Sequence, residues 1–172
     1  MGRVLVDPRG FVTCARLHVR CALGRGGIRA AKVEGDGATP SGEFRMGRLF
    51  YRAERFLNPP ATGLVSLSVR PNMGWCDDPA DKAYNQLITL PNRAHHEVLW
   101  RDDGLYDLVV ELKYNMDPIE KGRGSAIFMH VARPNYTPTE GCIALQIHDL
   151  LSLLRYCNTS SCVVVSDTIS KI

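Results

Sequence analysis

The sequence predicts a mainly β domain with one or two short helices. Three observations carry this. Short β-branched or alternating segments recur between turn signals, only one segment has helical spacing, and there is neither an internal repeat nor a low-complexity tract. The length of 172 residues suits one domain spanning 1–172, and the 45% apolar and 23% charged fractions are ordinary for a globular chain.

Taken in order, "RVLVDPRGFVTCARLHVRCAL" (3–23) reads as strand, turn, strand around Asp7-Pro8-Arg9-Gly10. "GRGGIRAAKVEGDGATPSGEF" (24–44) is dense in glycine and turn residues but holds neither dinucleotide nor P-loop spacing, which predicts a surface hairpin or loop. "TGLVSLSVRP" (62–71) alternates as a half-buried strand does, whereas "NMGWCDDPADKAYNQLITLP" (72–91) reads as irregular. "DLVVELKY" (107–114) alternates again, and "SAIFMHVA" (125–132) has the continuous apolar character of a central strand. "CIALQI" starts apolar. "HDLLSLLRYC" (148–157), with leucines at 150, 151, 153 and 154, predicts a short amphipathic helix, and "CVVVSD" (162–167) returns to strand.

The formal charge of +3 comes from scattered basic residues with no long run, so nucleic-acid binding is not expected. No stretch approaches the ~20 apolar residues of a membrane span, and the first residues show no export signal. The six cysteines include no C-x-x-C, and most read as small buried hydrophobes. His95-His96-Glu97 raises a zinc reading, but adjacent residues of a strand point to opposite faces and no H-E-x-x-H is present. No metal is expected.

The segment "FMHVARPNYTPTEGCIAL" (128–145) carries the chemistry. An imidazole can take the proton of a thiol that is mostly protonated at neutral pH. His130 sits at the end of a predicted rigid strand, and a proline-stiffened return delivers Cys142. Gly141 lets the backbone turn sharply, so the amides of Gly141 and Cys142 could form an oxyanion hole. Arg133 reads either as a fork for a substrate carboxylate or as a solvated loop residue. Tyr136 either flanks a pocket or closes the loop. Trp75, with Asp77 and Asp78, either lines a cleft or packs in the core beside a turn.

These residues resemble the L,D-transpeptidase catalytic domain, the YkuD-type family. His130, Thr139, Gly141, Cys142 and Ile143 fall on its histidine, spacer and [S/T]-H-G-C signature. "GDGATPSGEF" (35–44) looks like its D-x-x-T-P-x-G-x-[FY] segment, and "GSAIFMHVA" (124–132) like the strand leading to its histidine. The likeness covers residues 20 to 166. Glu140 stands where the family has a second histidine, Ala144 where it has Arg or Asn, and the spacer is short.

The resemblance implies a β-sandwich-like domain and acyl transfer through a thioester, without metal or organic cofactor. Cys142 would be the nucleophile and His130 the general base and acid, oriented by the Val131 carbonyl, with the Gly141 amide at the oxyanion. Arg133, Tyr136, Thr139 and Trp75 are the substrate-side candidates. The implied substrate is a peptidoglycan stem peptide, carbapenem β-lactams are implied inhibitors, and the implied place of action is the periplasm or cell envelope. The leading expectation is an L,D-transpeptidase, against an L,D-carboxypeptidase or endopeptidase using the same site, or a non-catalytic wall-binding module. Cys142 is expected to be the most reactive thiol. Glu140 is expected to face away from it, exposed or paired with a base such as Arg133.

Overall fold

A computed structural model describes residues 2–168. The strands are β1 (Arg3–Asp7), β2 (Phe11–Cys14), β3 (Leu17–Ala22), two-residue β4 (Ile28–Arg29) and β5 (Thr39–Pro40), β6 (Gly42–Tyr51), β7 (Ser66–Ser68), β8 (Met73–Cys76), β9 (Leu87–Thr89), β10 (His96–Val98), β11 (Leu108–Leu112), β12 (Phe128–Val131), β13 (Ile143–Leu145) and β14 (Cys162–Val165). One α-helix, α1 (Ile147–Leu154), lies between β13 and β14. None of the described helices is long and apolar enough to cross a membrane.

The architecture corrects the expected sandwich. Strands run β11-β12-β13-β3-β2-β1-β14-β6, and β6 pairs back with β11, so eight strands close into a barrel. The ten-residue β6 makes the closure. Gly42–Arg45 pair with β14, and the second half of the strand, from Met46 to Tyr51, pairs with β11. One long strand thus belongs to both walls, and the edges a sandwich would leave open are satisfied. β7 adds to β6 outside the ring.

Alternation sorts the side chains. Val4, Val6, Val12, Leu108, Val110, Met129, Ile143, Leu145 and Val163 form one core, joined by Leu150, Leu153 and Leu154 of α1. Phe50, Val109, Phe128 and Cys142 project the other way, into a second core with Trp75, Leu99 and Tyr106. Trp75 belongs to a separate three-stranded sheet, β10-β8-β9. β11 and β12 are therefore covered on both faces, which explains the unbroken apolar run of "SAIFMHV". "DLVVELKY" looked half-buried, yet β11 is buried throughout, including Glu111.

The segment 72–91, expected to be irregular, holds β8 and β9. Its signal is weak because the two strands are short and a long turn separates them. Asn85 anchors that turn: its side-chain oxygen accepts from Trp75 Nε1 (3.0 Å) and the Ala126 amide (3.1 Å), while its nitrogen donates to the Tyr114 and Asn115 carbonyls. The glycine-rich segment 24–44 is not a surface loop along its length. Ala38, Thr39 and Pro40 are buried, and Lys32 is enclosed against Asp36 at 2.7 Å.

Glu111 is buried by its pairing with Arg48, which donates from Nε (3.0 Å), Nη2 (2.9 Å) and its own amide (3.0 Å). Burial alone would raise this carboxyl, but the Arg48 hydrogen bonds outweigh it and hold Glu111 below its ordinary value of 4.5. A depressed carboxyl stabilises the fold above that ordinary value and stops doing so as pH falls through its lowered native value. Arg48→Met should cost about 2–3 kcal/mol at pH 7, less than a fully enclosed pair because Arg48 is partly exposed. In urea denaturation the gap from the parent should narrow below about pH 4; a gap independent of pH would refute the assignment.

Candidate active site

β12 and β13 run parallel, with Met129 opposite Ile143 and His130 opposite Ala144. Paired residues share a face, so His130 and Ala144 point outward together, and Cys142, one pleat back, projects to the same side. Both His130 and Cys142 line one cavity of about 200 Å³, roofed by residues of the three-stranded sheet and of 101–106. A larger cleft of about 760 Å³ lies over Arg48 and Glu111 and includes neither group.

The nucleophile turn is held from both sides. Thr139 Oγ1 accepts the Gly141 amide at 3.1 Å and donates to the Cys142 carbonyl at 2.6 Å. Gly141 has φ +132°, and a Cβ there would stand 2.7 Å from the Ala38 carbonyl, so the packed 24–44 segment requires glycine. The same segment supplies Gly24, whose amide donates to Thr39 Oγ1 at 2.8 Å, and Arg25, whose amide donates to the Thr139 carbonyl at 2.8 Å.

His130 Nδ1 lies 2.9 Å from the Val131 carbonyl, which can only accept. Nδ1 therefore carries the hydrogen and Nε2 is the free nitrogen. Cys142 Sγ accepts the Phe128 amide at 3.4 Å and donates toward the Ala126 carbonyl at 3.3 Å. Burial pushes the thiol up to about 12, with Glu97 adding to the rise and the Phe128 amide opposing it. Burial also drives His130 down to about 4, against the Val131 hydrogen bond. At neutral pH the resting pair is thiol and neutral imidazole, not thiolate and imidazolium.

The other expected site residues divide. Arg133 and Thr139 line the cavity. Trp75 does not: it is 1% exposed, lies edge-on to Phe128 at 5.1 Å and supports the roof. Tyr136 is outside the lining, under the Arg20 guanidinium at 5.2 Å and against the small cluster of Ala22, Ala132 and Ala144. The Gly141 amide, expected at the oxyanion, is already committed to Thr139. Glu140 is exposed and accepts from Arg25 Nε at 2.8 and 2.9 Å, so its partner is Arg25 rather than Arg133. His95 pairs with Asp77, and no group of three or more His, Cys, Asp or Glu that could hold a metal occurs among the described residues.

Sequence reasoning missed three polar cavity residues, Glu97, Arg101 and Tyr106. The Tyr106 ring stands 5.2 Å from the His130 ring at 70°, and its hydroxyl donates to Glu97 Oε2 at 2.6 Å. Arg101 lies over the other side of Tyr106 at 5.1 Å and pairs with Asp103. The available signal was Glu97 itself, a carboxylate inside a short strand, but the neighbouring histidines drew the segment toward metal chemistry.

The sequence matches the family model of the L,D-transpeptidase catalytic domain, YkuD, over residues 5–165. Among solved structures, the helical cell shape determining protein Pgp2 of Campylobacter jejuni superposes with a TM-score of 0.53 at 15% identity, covering 98% of this chain and 48% of that one. Its K307A mutant gives a TM-score of 0.54 at the same identity and coverage. L,D-transpeptidase 3 of Mycobacterium tuberculosis, in complex with a faropenem-derived adduct, gives 0.46 at 12% identity, covering 96% of this chain and 60% of that one. The chain thus spans about half the length of the Campylobacter protein. No curated protein matches the sequence. The family match over nearly the whole chain, together with a histidine and a cysteine brought to one cavity, places the chain in the YkuD family, the L,D-transpeptidase catalytic domain.

Proposed function

We propose that the chain cleaves a peptidoglycan stem peptide at the bond between an L- and a D-centre through a thioester on Cys142. The observation that carries this reading is the shared outward face of His130 and Cys142, with Nε2 of His130 free and the Nδ1 hydrogen held by Val131. The substrate carbonyl enters the cavity beside Sγ. As the C–S bond forms, the thiol proton passes to Nε2, so neither charge is carried in the free enzyme. The developing oxyanion falls to the Cys142 amide, because the Gly141 amide serves Thr139. The imidazolium then protonates the departing D-amino acid nitrogen, and Arg133 at the rim meets its carboxylate.

Water completes the cycle with the same two groups. His130 takes a proton from water as the C–O bond forms, then returns it to sulfur as the C–S bond breaks. Hydrolysis, an L,D-carboxypeptidase outcome, thus asks for nothing beyond Cys142 and His130. Amine transfer, the transpeptidase outcome, shares the first half and diverges at the thioester. On this reading the chain acts where the wall is built, in the periplasm or cell envelope, and carbapenems acylate the same thiol.

Intact mass spectrometry on a tetrapeptide stem tests the proposal. A tripeptidyl adduct on Cys142 with release of the terminal D-amino acid is expected, and Cys142→Ser should show no thioester. Cys142→Ser and His130→Ala should lose about a hundredfold or more in initial rate. Glu140→Gln, remote on its Arg25 pair, should change it less than about tenfold, roughly 1.4 kcal/mol of barrier. A Glu140→Gln loss matching that of His130→Ala, with the fold intact, would overturn this division of roles.

The elevated Cys142 thiol yields a separate test. At 8% Cys142 is the most exposed of the six cysteines, so accessibility ranks it first while acidity does not activate it. Iodoacetamide at pH 7 should label Cys142 no faster than an ordinary exposed thiol, and the rate should still be rising with pH above about 9. A rate plateau near neutral pH would show a thiolate–imidazolium pair instead.

A further inference from the structure

Resolving a thioester with water and resolving it with an amine differ by one proton. Water arrives neutral and gives up one proton, which travels through His130 to sulfur. An α-amine arrives largely as an ammonium at neutral pH. It must lose two protons to become an amide, and it has no lone pair for attack until the first is gone. His130 cannot take both. Its Nδ1 hydrogen is committed to the Val131 carbonyl, only Nε2 is free, and burial keeps its imidazolium down at about 4.

The cavity holds a carboxylate besides the imidazole. Glu97 lies in β10 opposite Trp75 and lines the same cavity as His130 and Cys142. Its Oε2 accepts the Tyr106 hydroxyl at 2.6 Å, and the Tyr106 ring packs on His130. Among the described residues no fully enclosed side-chain oxygen or nitrogen lacks a hydrogen-bond partner, and Tyr106 is the one donor on this carboxylate. Oε1, with no donor of its own among the described residues, is therefore not fully enclosed, and Glu97 lines the cavity. The other carboxylates nearby are engaged: Asp103 with Arg101 at 2.5 Å, and Glu140 with Arg25 at 2.8 Å.

We propose that Glu97 is the proton acceptor for the incoming ammonium of an acyl acceptor, a primary amine of the amino-acid type. The inference rests on the thioester reading above. R–NH3+ gives one proton to the Glu97 carboxylate, leaving R–NH2 and Glu97–COOH. The amine attacks the thioester carbon, His130 takes the second proton as the C–N bond forms, and that proton reaches sulfur as the C–S bond breaks. Amide, thiol and neutral imidazole result, and Glu97 releases its proton to solvent.

The surroundings fit this role. Burial raises the Glu97 carboxyl above its usual range; the Tyr106 hydrogen bond and Arg101 pull it back, while Asp77 and Glu34 push the same way as burial. A carboxylate so placed holds a proton better than an exposed one, and an arriving ammonium adds countercharge to that of Arg101. Glu97 also helps raise the resting Cys142 thiol, a handicap that vanishes once the sulfur is an uncharged thioester.

The test is the ratio of transfer to hydrolysis product at pH 7, measured on a tetrapeptide stem with either D-methionine or hydroxylamine as acceptor. Both products leave one acyl-enzyme, so the ratio is independent of how much protein is active. The amine of D-methionine arrives as an ammonium, whereas that of hydroxylamine is already neutral. Glu97→Gln should lower the D-methionine ratio by about tenfold or more and leave the hydroxylamine ratio within about twofold. Glu97→Asp, which keeps a carboxylate, should recover most of the loss. Equal ratios in parent and Glu97→Gln, or equal losses with both acceptors, would overturn the proposal. If Glu97→Gln does not fold, Tyr106→Phe, which removes the anchor of the carboxylate, should show the same acceptor-dependent loss in weaker form; its absence would overturn the proposal too. A parent enzyme that forms the thioester but transfers to neither amine would overturn the role of Glu97 alone. A parent that forms no acyl-enzyme would overturn both readings.

Discussion

The parallel pairing of β12 with β13 is the constraint on which the rest of the site depends. A shift of one residue in that register would turn His130 or Cys142 into the barrel interior and bring an aliphatic neighbour out in its place. Such a slip is opposed on both faces at once. Met129, Ile143 and Leu145 belong to the inner core, Phe128 and Cys142 to the outer one. The two cores, together with the hydrogen bonds to Val131, Phe128 and Ala126, hold His130 and Cys142 in a fixed relation.

Burial then decides the charge state. Each group of the pair loses more by desolvation than it gains from neighbouring dipoles, so both are neutral at pH 7. The packing that orients the side chains also keeps the thiol unreactive toward adventitious electrophiles. The site is poised by geometry, and acidity enters only along the reaction path.

That His130 and Cys142 meet at one cavity was legible because the clues are local. A continuous apolar strand ends at His130, prolines stiffen the return, and glycine precedes Cys142. Most strands of the barrel wall were legible from the same kind of pattern, but β6 was not, since its first residues fall in the segment read as a loop; α1 was found within a few residues of its bounds. Closure was not legible, because it depends on how one long strand divides its pairing between β14 and β11, which alternation does not encode. The roof was missed for a related reason: β8, β9 and β10 are too short for periodicity, and Asn85, which ties them to β12, looks like any turn residue. With the roof went Glu97 and Tyr106. Trp75 read as either cleft-lining or core, and its place is the core behind that roof.

β1 pairs parallel with β14, Arg3 opposite Cys162 and Val6 opposite Val165. The first and last strands of the barrel are thus immediate neighbours, and the nucleophile turn leans on residues 24–39 from more than a hundred positions earlier. A chain emerging from the ribosome cannot close its wall until residue 165 is out, and every contact of that closing seam is long-range. Folding of such a topology is slow, and a nascent chain carries its nucleophile turn before the wall that supports it is complete. The cavity that holds His130 and Cys142 is therefore complete only once the seam is.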